Sequence, residues 1–264
     1  MSRNLHGKRA IVTGASGGIG RAIAVELAKA GVKVALAARS ADKLAEAVGA
    51  IGADALAVPT DVTKPADREN LIRETVARFG GLDLLVNVAG VGAWGHFATS
   101  TEAINRTVME VNFFAPVELI RLAVPHLTNG NDPAICNLTS MCARRGMPAW
   151  PEYSASKFAL VGMTEALRGE MARYDIDVIT IVPGLTKSDL NRNLLRSDGK
   201  ATIPYDKGMT VEYVAARTVD AIRRSKREIV LGIEAKKILT MNRLAPRFVN
   251  WLIARNVTKL YREN

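Results

Sequence analysis

Short runs of Val, Ile, Leu and Ala recur along the chain, and between them apolar residues return every three or four positions. The runs carry the signature of strands buried on both faces of a sheet, and the spaced stretches that of helices laid over it. Residues 8–13 (KRAIVT), 32–37, 55–58, 82–88, 134–139, 177–182 and 228–231 are predicted strands. Residues 18–30, 41–50, 66–79, 101–127, 152–174 and 211–224 are predicted helices, the second capped by Ser40 and the third stopped at Gly80 and Gly81. Residues 186–207 are polar and less regular. This alternation specifies an α/β fold: a single doubly wound, Rossmann-like parallel seven-stranded sheet with helices on both faces.

No linker or repeat interrupts the pattern, so residues 1–232 read as one domain. Residues 233–264 read as a helical extension that is not an independent domain. Within it Ile238, Met241, Ala245, Phe248 and Leu252 recur at helical spacing with Trp251 alongside, and Pro246 starts a second helix.

Composition changes this picture little. Apolar residues make up 48% of the 264, enough for a sizeable core, and no uncharged apolar stretch reaches the length of a membrane span. The N-terminus shows no signal-peptide pattern. The two cysteines, Cys136 and Cys142, match no zinc or redox spacing, and the three histidines are scattered. A reduced, cytoplasmic, metal-free protein is expected. Charge adds more: of the net +10, the extension alone carries +5. The excess is local, which argues against nucleic-acid binding by the body. It leaves the basic amphipathic tail three uses: packing on a subunit or on the domain itself, peripheral membrane contact, or plain solvation.

The candidate chemistry begins at TGASGGIG, between the first strand and the first helix. Glycines here let backbone N–H groups approach a pyrophosphate at the positive end of a helix, although the spacing differs from the common dinucleotide fingerprint. Gly14, Ser16, Gly18, Ile19 and Gly20 are the candidate contacts. At the end of the second strand an acid would take the ribose 2′-OH of NAD. Ala38 stands there instead, followed by Arg39 and Ser40, a pair suited to a 2′-phosphate. NADP(H) is therefore expected ahead of NAD(H). Asp61 and Val62, just past the third strand, are placed at the adenine edge, with a loop cap as the alternative for Asp61.

Tyr153 and Lys157 stand four apart on a predicted helix, so both project from one face. A phenol is too weak an acid for neutral pH, and a nearby ammonium favours its ionised form. Ser140, past the fifth strand, is placed to hydrogen-bond the reacting oxygen.

Together these motifs resemble the short-chain dehydrogenase/reductase family, of the NADP-preferring type with a basic C-terminal extension. The likeness runs over about residues 8–231, through TGASGGIG, NVAG (Asn87, Val88, Ala89, Gly90), Asn112, Ser140, YSASK and Pro183-Gly184. It implies Tyr153 as general acid/base and Ser140 as stabiliser of the substrate oxygen. It further implies that Lys157 binds the nicotinamide ribose and acidifies Tyr153, and that Asn112 holds a water beyond Lys157. Asn87, Ala89, Gly90, Pro183, Gly184 and Thr186 would contact the cofactor. Val88 departs from the family's usual second Asn, which implies an altered strand contact. The partner implied is a small carbonyl or alcohol substrate. Val91, Trp94, Met141, Met147, Trp150, Leu185 and Leu190 make it a hydrophobic one, while Arg144 and Arg145 leave room for an anionic group. Family likeness implies a homodimer or homotetramer. The alternative to catalysis is an NADP(H)-binding redox sensor without turnover.

Overall fold

In the computed structural model, which describes residues 2–192, 194–201 and 203–262, seven strands form one parallel sheet. In chain order they are β1 (Arg9–Thr13), β2 (Lys33–Ala38), β3 (Ala55–Pro59), β4 (Leu84–Asn87), β6 (Ala134–Leu138), β7 (Asp177–Pro183) and β9 (Glu228–Leu231). Two short strands, β5 (Gly92–Trp94) and β8 (Leu194–Ser197), pair with each other beside it. The helices are α1 (Gly18–Lys29), α2 (Ala41–Ile51), α3 (Pro65–Phe79), α4 (Glu102–Met109), α5 (Ala115–Leu127), α6 (Pro151–Met171), α7 (Val211–Arg223), α8 (Ile233–Leu244) and α9 (Pro246–Arg262).

Strand periodicity divides the core in two. Ala10 and Val12 of β1, Val34 and Leu36 of β2, and Leu84 and Val86 of β4 meet Ile23 and Leu27 of α1, Leu44 of α2 and Val219 of α7. Their neighbours Ile11, Ala35, Ala37 and Leu85 face the other way, onto Leu71 of α3, Leu119 and Ile120 of α5 and Leu167 of α6. Both faces are therefore buried, which is why the strands read as continuous apolar runs.

The strand order is β3-β2-β1-β4-β6-β7-β9. It reverses between β1 and β4, and at such a reversal the crevice beyond the carboxyl ends of the strands takes ligands. Gly80 ends α3 as expected, in a left-handed conformation with its N–H on the Val76 carbonyl.

Three local expectations change. The helix over 101–127 is broken by a π turn at Glu110–Phe114. The irregular region 186–207 contains β8, whose partner β5 arises from the loop after β4. Ser40 sits at the N-cap of α2, yet its side chain makes no capping bond.

The extension forms two helices, and Pro246 begins the second. Its apolar stripe does not continue across the break, because Ala245, at φ −140° and ψ 64°, leaves the helical conformation and resets the phase. Val249 of α9 is buried, whereas Met241, Leu244, Phe248 and Trp251 face solvent. Among the described residues no helix is long and apolar enough to cross a membrane.

Candidate active site

The glycine turn runs from the end of β1 into α1, beside the point where the sheet order reverses. Gly14 takes φ +67°, and a Cβ there would lie 3.0 Å from the Ala89 backbone. A Cβ on Gly20 would overlap the Gly14 carbonyl oxygen. Both positions need glycine, one for conformation and one for space. Thr13 secures the neighbouring strand end: its Oγ1 accepts from Val88 N at 3.0 Å and from Ala89 N at 3.1 Å. Val88, the departure from the family pattern, packs against the core at its side chain. Gly18, Ile19 and Ser16 remain partly accessible around the turn. Asp189, from the segment after β7, brings its carboxylate to this place; a Cβ on Gly17 would stand 2.8 Å from Oδ2.

Arg39 is exposed at the end of β2, next to Ser40. Asp61 faces it across the crevice. Burial pushes the Asp61 carboxyl up, but hydrogen bonds from Thr63 and the charges of Lys64 and Arg39 together hold it below its ordinary value. Its Oδ1 accepts from Thr63 N at 3.1 Å and Thr63 Oγ1 at 2.7 Å, so the loop-cap alternative describes this oxygen. Val62 lines a small cavity with Thr13, Asn87, Ala89 and Val111. Asn87 donates to Asn137 Oδ1 at 2.9 Å, while its own Oδ1 is buried without a partner.

The catalytic candidates converge where α6 passes the end of β6. Ser140 lies two residues beyond β6, its Oγ accepting from Cys142 N at 3.2 Å. Its hydroxyl is close enough to the Tyr153 hydroxyl to favour that group's ionised form. Lys157 is 4% exposed and donates from Nζ to the Leu138 carbonyl at 3.1 Å; that ammonium lies 5.8 Å from the centre of the Tyr153 ring. The helical spacing thus places both on one face, as expected.

The electrostatics differ from expectation. Burial pushes the Tyr153 phenol above its ordinary value, with Cys142 adding to the rise and the Ser140 hydroxyl opposing it. Burial also lowers Lys157 from 10.5 to about 8. Desolvation is the first cause of both shifts, and in the protein alone it favours the neutral form of each group.

Asn112 is fully buried in the π turn. Its Nδ2 donates to Val91 O at 2.9 Å and to Ser156 Oγ at 3.0 Å, and its Oδ1 accepts from Val91 N at 2.9 Å. Both amide hydrogens are thus used, so a water on this side chain would have to bond Oδ1. A Cβ on Gly90 would lie 3.1 Å from that oxygen and 3.6 Å from Lys157 Nζ, which marks the narrow space where the two approach.

Pro183 and Gly184 follow from β7, and Thr186 donates from Oγ1 to Gly184 O at 3.0 Å. The extension reaches this corner: a Cβ on Gly184 would stand 2.9 Å from Ala235 Cβ of α8. Of the apolar substrate set, Trp150 packs edge-on to Tyr153 with ring centres 5.4 Å apart. Leu190 and Trp150 both approach Gly92. Leu185, at 38% exposed, faces away from any core. Arg144 is bound to Glu165 at 2.6 Å and to Glu228, and Arg145 donates to Asn242 at 3.1 Å. Arg144 is thus committed to two carboxylates, while Arg145 bonds a neutral amide that leaves its charge uncompensated. Sequence reasoning missed Ser156, although it stands inside YSASK, and gave no role to Thr13, Glu152, Cys142 or Arg196.

The fit to a nicotinamide dinucleotide is good. The glycine cradle admits backbone approach at the N-terminus of α1, a cation and a hydroxyl stand at the end of β2, and the Tyr153 hydroxyl lies past the ends of β6 and β7.

Residues 8–199 match the family model described as short chain dehydrogenase. The chain is 30% identical over 268 residues to dehydrogenase/reductase SDR family protein 7-like from Drosophila melanogaster, covering 97% of this chain and 82% of the relative. A short chain dehydrogenase from Burkholderia cenocepacia, solved in complex with NADP, superposes with a TM-score of 0.78 at 30% identity, over 89% of this chain and 100% of that one. A short chain dehydrogenase/reductase from Burkholderia phymatum, solved with NAD, gives 0.85 at 25% identity, over 93% and 96%.

Proposed function

Because this chain belongs to the short-chain dehydrogenase family and is an oxidoreductase, we propose that it is an NADP-dependent carbonyl reductase whose proton donor is Tyr153. The observation that carries this reading is the placement of Lys157 Nζ 5.8 Å from the centre of the Tyr153 ring, one helical turn on, with Ser140 just past the end of β6 beside them. A bound reduced nicotinamide supplies the hydride for the carbonyl carbon. Tyr153 gives its proton to the carbonyl oxygen, and Ser140 donates a hydrogen bond to that oxygen as negative charge develops. Burial keeps the phenol neutral, so it holds the proton that reduction consumes, and the donors and charge around it must ease that proton's release. Lys157 holds the ribose hydroxyls and keeps positive charge near the phenolate that forms.

Arg39 and Ser40 favour a 2′-phosphate over a bare ribose, and Pro183, Gly184 and Thr186 border the nicotinamide. Trp94, Met147, Trp150 and Leu190 favour a hydrophobic ketone. A panel of ketones and alcohols assayed with NADPH and NADH tests cofactor and substrate together. Tyr153→Phe should lose turnover by about 10²–10⁴-fold while keeping NADPH binding. Turnover unaffected by that change would overturn the assignment.

Phe114 and Phe158, 48% and 45% exposed, support a homodimer or homotetramer, read by sedimentation. Leu244, Phe248 and Trp251 stand exposed among Arg247 and Arg255, with Arg255 over the Trp251 ring at 5.3 Å. This basic, aromatic face supports peripheral contact with an anionic membrane. Co-sedimentation with anionic vesicles should fall on replacing Phe248 and Trp251 by Glu.

A further inference from the structure

Glu152, the residue before Tyr153, is a buried carboxylate with only 1% of its side chain exposed, and neither of its oxygens has a hydrogen-bond partner. An isolated carboxylate in such a place is costly, so it demands a nearby cation. The cation is Arg196 of β8, with Nη1 3.9 Å from Glu152 Oε1 and only 9% of its side chain exposed.

Two further contacts hold this guanidinium, and a third holds its partner Asp198. Arg196 Nε lies 2.7 Å from Asp198 Oδ1, Nη2 donates to the His96 carbonyl, and Asp198 Oδ2 accepts from Thr99 Oγ1 at 2.8 Å. The backbone is shaped around them. A Cβ on Gly95 would overlap Asp198 Oδ1 and press on Arg196, so only glycine lets the pair lie there. The β5–β8 ladder runs from Gly92↔Leu194 to Trp94↔Ser197, with one more residue on the β8 side. Arg196 lies in that bulge, the kind of irregularity that re-aims a side chain.

The consequence reaches the proposed active site in two steps. Leu194 Cδ2 of β8 lies 2.8 Å from where a Gly92 Cβ would stand, and Trp150 Cζ3 lies 3.0 Å from the same point. Trp150 in turn packs on Tyr153.

We propose that Arg196 is a positioning residue that clamps β8 to the first turn of α6 through Glu152, and so sets the Leu194–Trp150 wall of the substrate site. The inference rests on the reading of Tyr153 as the reacting centre, because only then is that wall a substrate wall. Arg196 touches neither the reacting atoms nor the glycine turn. Its loss should leave cofactor binding intact and act on the carbonyl substrate.

The test compares wild type with Arg196→Met, Arg196→Lys and Glu152→Gln in the full chain. Met keeps the apolar stem and removes the charge, Lys restores a point charge, and Gln relieves the need for a cation. For the best ketone of the panel, Arg196→Met should raise KM on the order of tenfold with kcat changed far less, the scale expected when a buried polar group loses its partner. NADPH affinity should stay within about twofold, and Arg196→Lys should recover most of the KM. In the double variant, Glu152→Gln should remove much of the Arg196→Met effect, because the two act through each other. Hydrogen exchange on each protein, with no substrate added, should show faster exchange at residues 92–95 and 194–198 in Arg196→Met and in Glu152→Gln, and near wild-type exchange in Arg196→Lys. Unchanged exchange there overturns the clamp whatever the activity. Faster exchange with unchanged KM overturns the wall. If wild type reduces no carbonyl, the proposed function fails while the exchange result still decides the clamp. Should Arg196→Met not fold, Glu152→Gln and Arg196→Lys carry the same comparison.

Discussion

Asn112 Nδ2 donates to Ser156 Oγ at 3.0 Å, and that bond joins the π turn to the helix carrying Tyr153 and Lys157. Ser156 Oγ passes its own hydrogen to the Tyr153 carbonyl at 2.8 Å. A chain of hydrogen bonds therefore runs from Val91, through Asn112 and Ser156, to the backbone of the proposed proton donor. A π turn is a costly departure from helical winding and is common at functional sites. Here it places a fully buried amide against α6 with both its hydrogens used.

Asn112→Ala removes that amide and leaves the partly buried Val91 N–H and C=O, and the buried Ser156 Oγ, without its bonds. The cost expected is about 1–3 kcal/mol of stability, seen as a melting temperature lower by several degrees. Turnover should fall with it, because α6 loses its tie to the π turn. A variant with wild-type melting and wild-type rate would contradict the account.

Lys157 gives a pH dependence with a definite sign. Burial brings its pKa down from 10.5 to about 8, so below that pH the folded protein holds a charge that the unfolded chain solvates better. The penalty is full below about pH 8 and vanishes once both states are neutral, above the unfolded value. Wild type should therefore gain stability relative to Lys157→Met as pH rises from about 8 to 10.5, by at most about 3 kcal/mol. Thermal melts of both proteins across that range give the comparison, and a constant difference would sink it. At neutral pH the substitution should cost at least about 10²-fold in turnover without lowering the melting temperature, since the charge serves chemistry rather than folding.

Arg39 is placed to choose the cofactor. An exposed guanidinium facing Asp61 at the end of β2 has no cost of burial to recover and is open to a phosphate. Arg39→Ala should weaken NADPH binding roughly tenfold to a hundredfold and leave NADH binding nearly unchanged. Fluorescence titration with both nucleotides reads the ratio. Equal losses for the two would remove Arg39 from the 2′-phosphate site.

Much of this was legible in the sequence, for reasons that are physical. A parallel sheet covered on both faces turns each strand into an apolar run, so β1 to β9 of the main sheet announced themselves. The glycine turn and the Tyr153–Lys157 spacing were legible because each depends only on neighbours along the chain. What escaped depends on distant partners. β5 and β8 are three and four residues long and only become strands by meeting each other. The π turn keeps the same apolar spacing as an α-helix over so short a stretch. Arg196 finds Glu152 across the fold, and nothing local to either residue advertises the pair. The rise of the Tyr153 pKa follows from how deeply the helix buries it, which the four-residue spacing does not reveal.

Asp189 poses a question of charge at the glycine turn. Its carboxylate lies against Gly17 and Gly18, at the positive end of α1, where no acidic residue stands in the first turn of the helix itself. A helix N-terminus favours negative charge, so the carboxylate and an incoming pyrophosphate seek the same field. They also repel each other, by an amount that falls with salt. Asp189→Asn keeps the shape and removes the competitor. NADPH should then bind roughly fivefold tighter at low ionic strength, a change of about 1 kcal/mol of the size expected between partly solvated charges, and the advantage should shrink as salt is added. Titrations at two salt concentrations decide it: equal or weaker binding by the variant at low salt would mean that Asp189 assists the phosphates' seat, for instance by ordering the segment after β7, instead of competing for it.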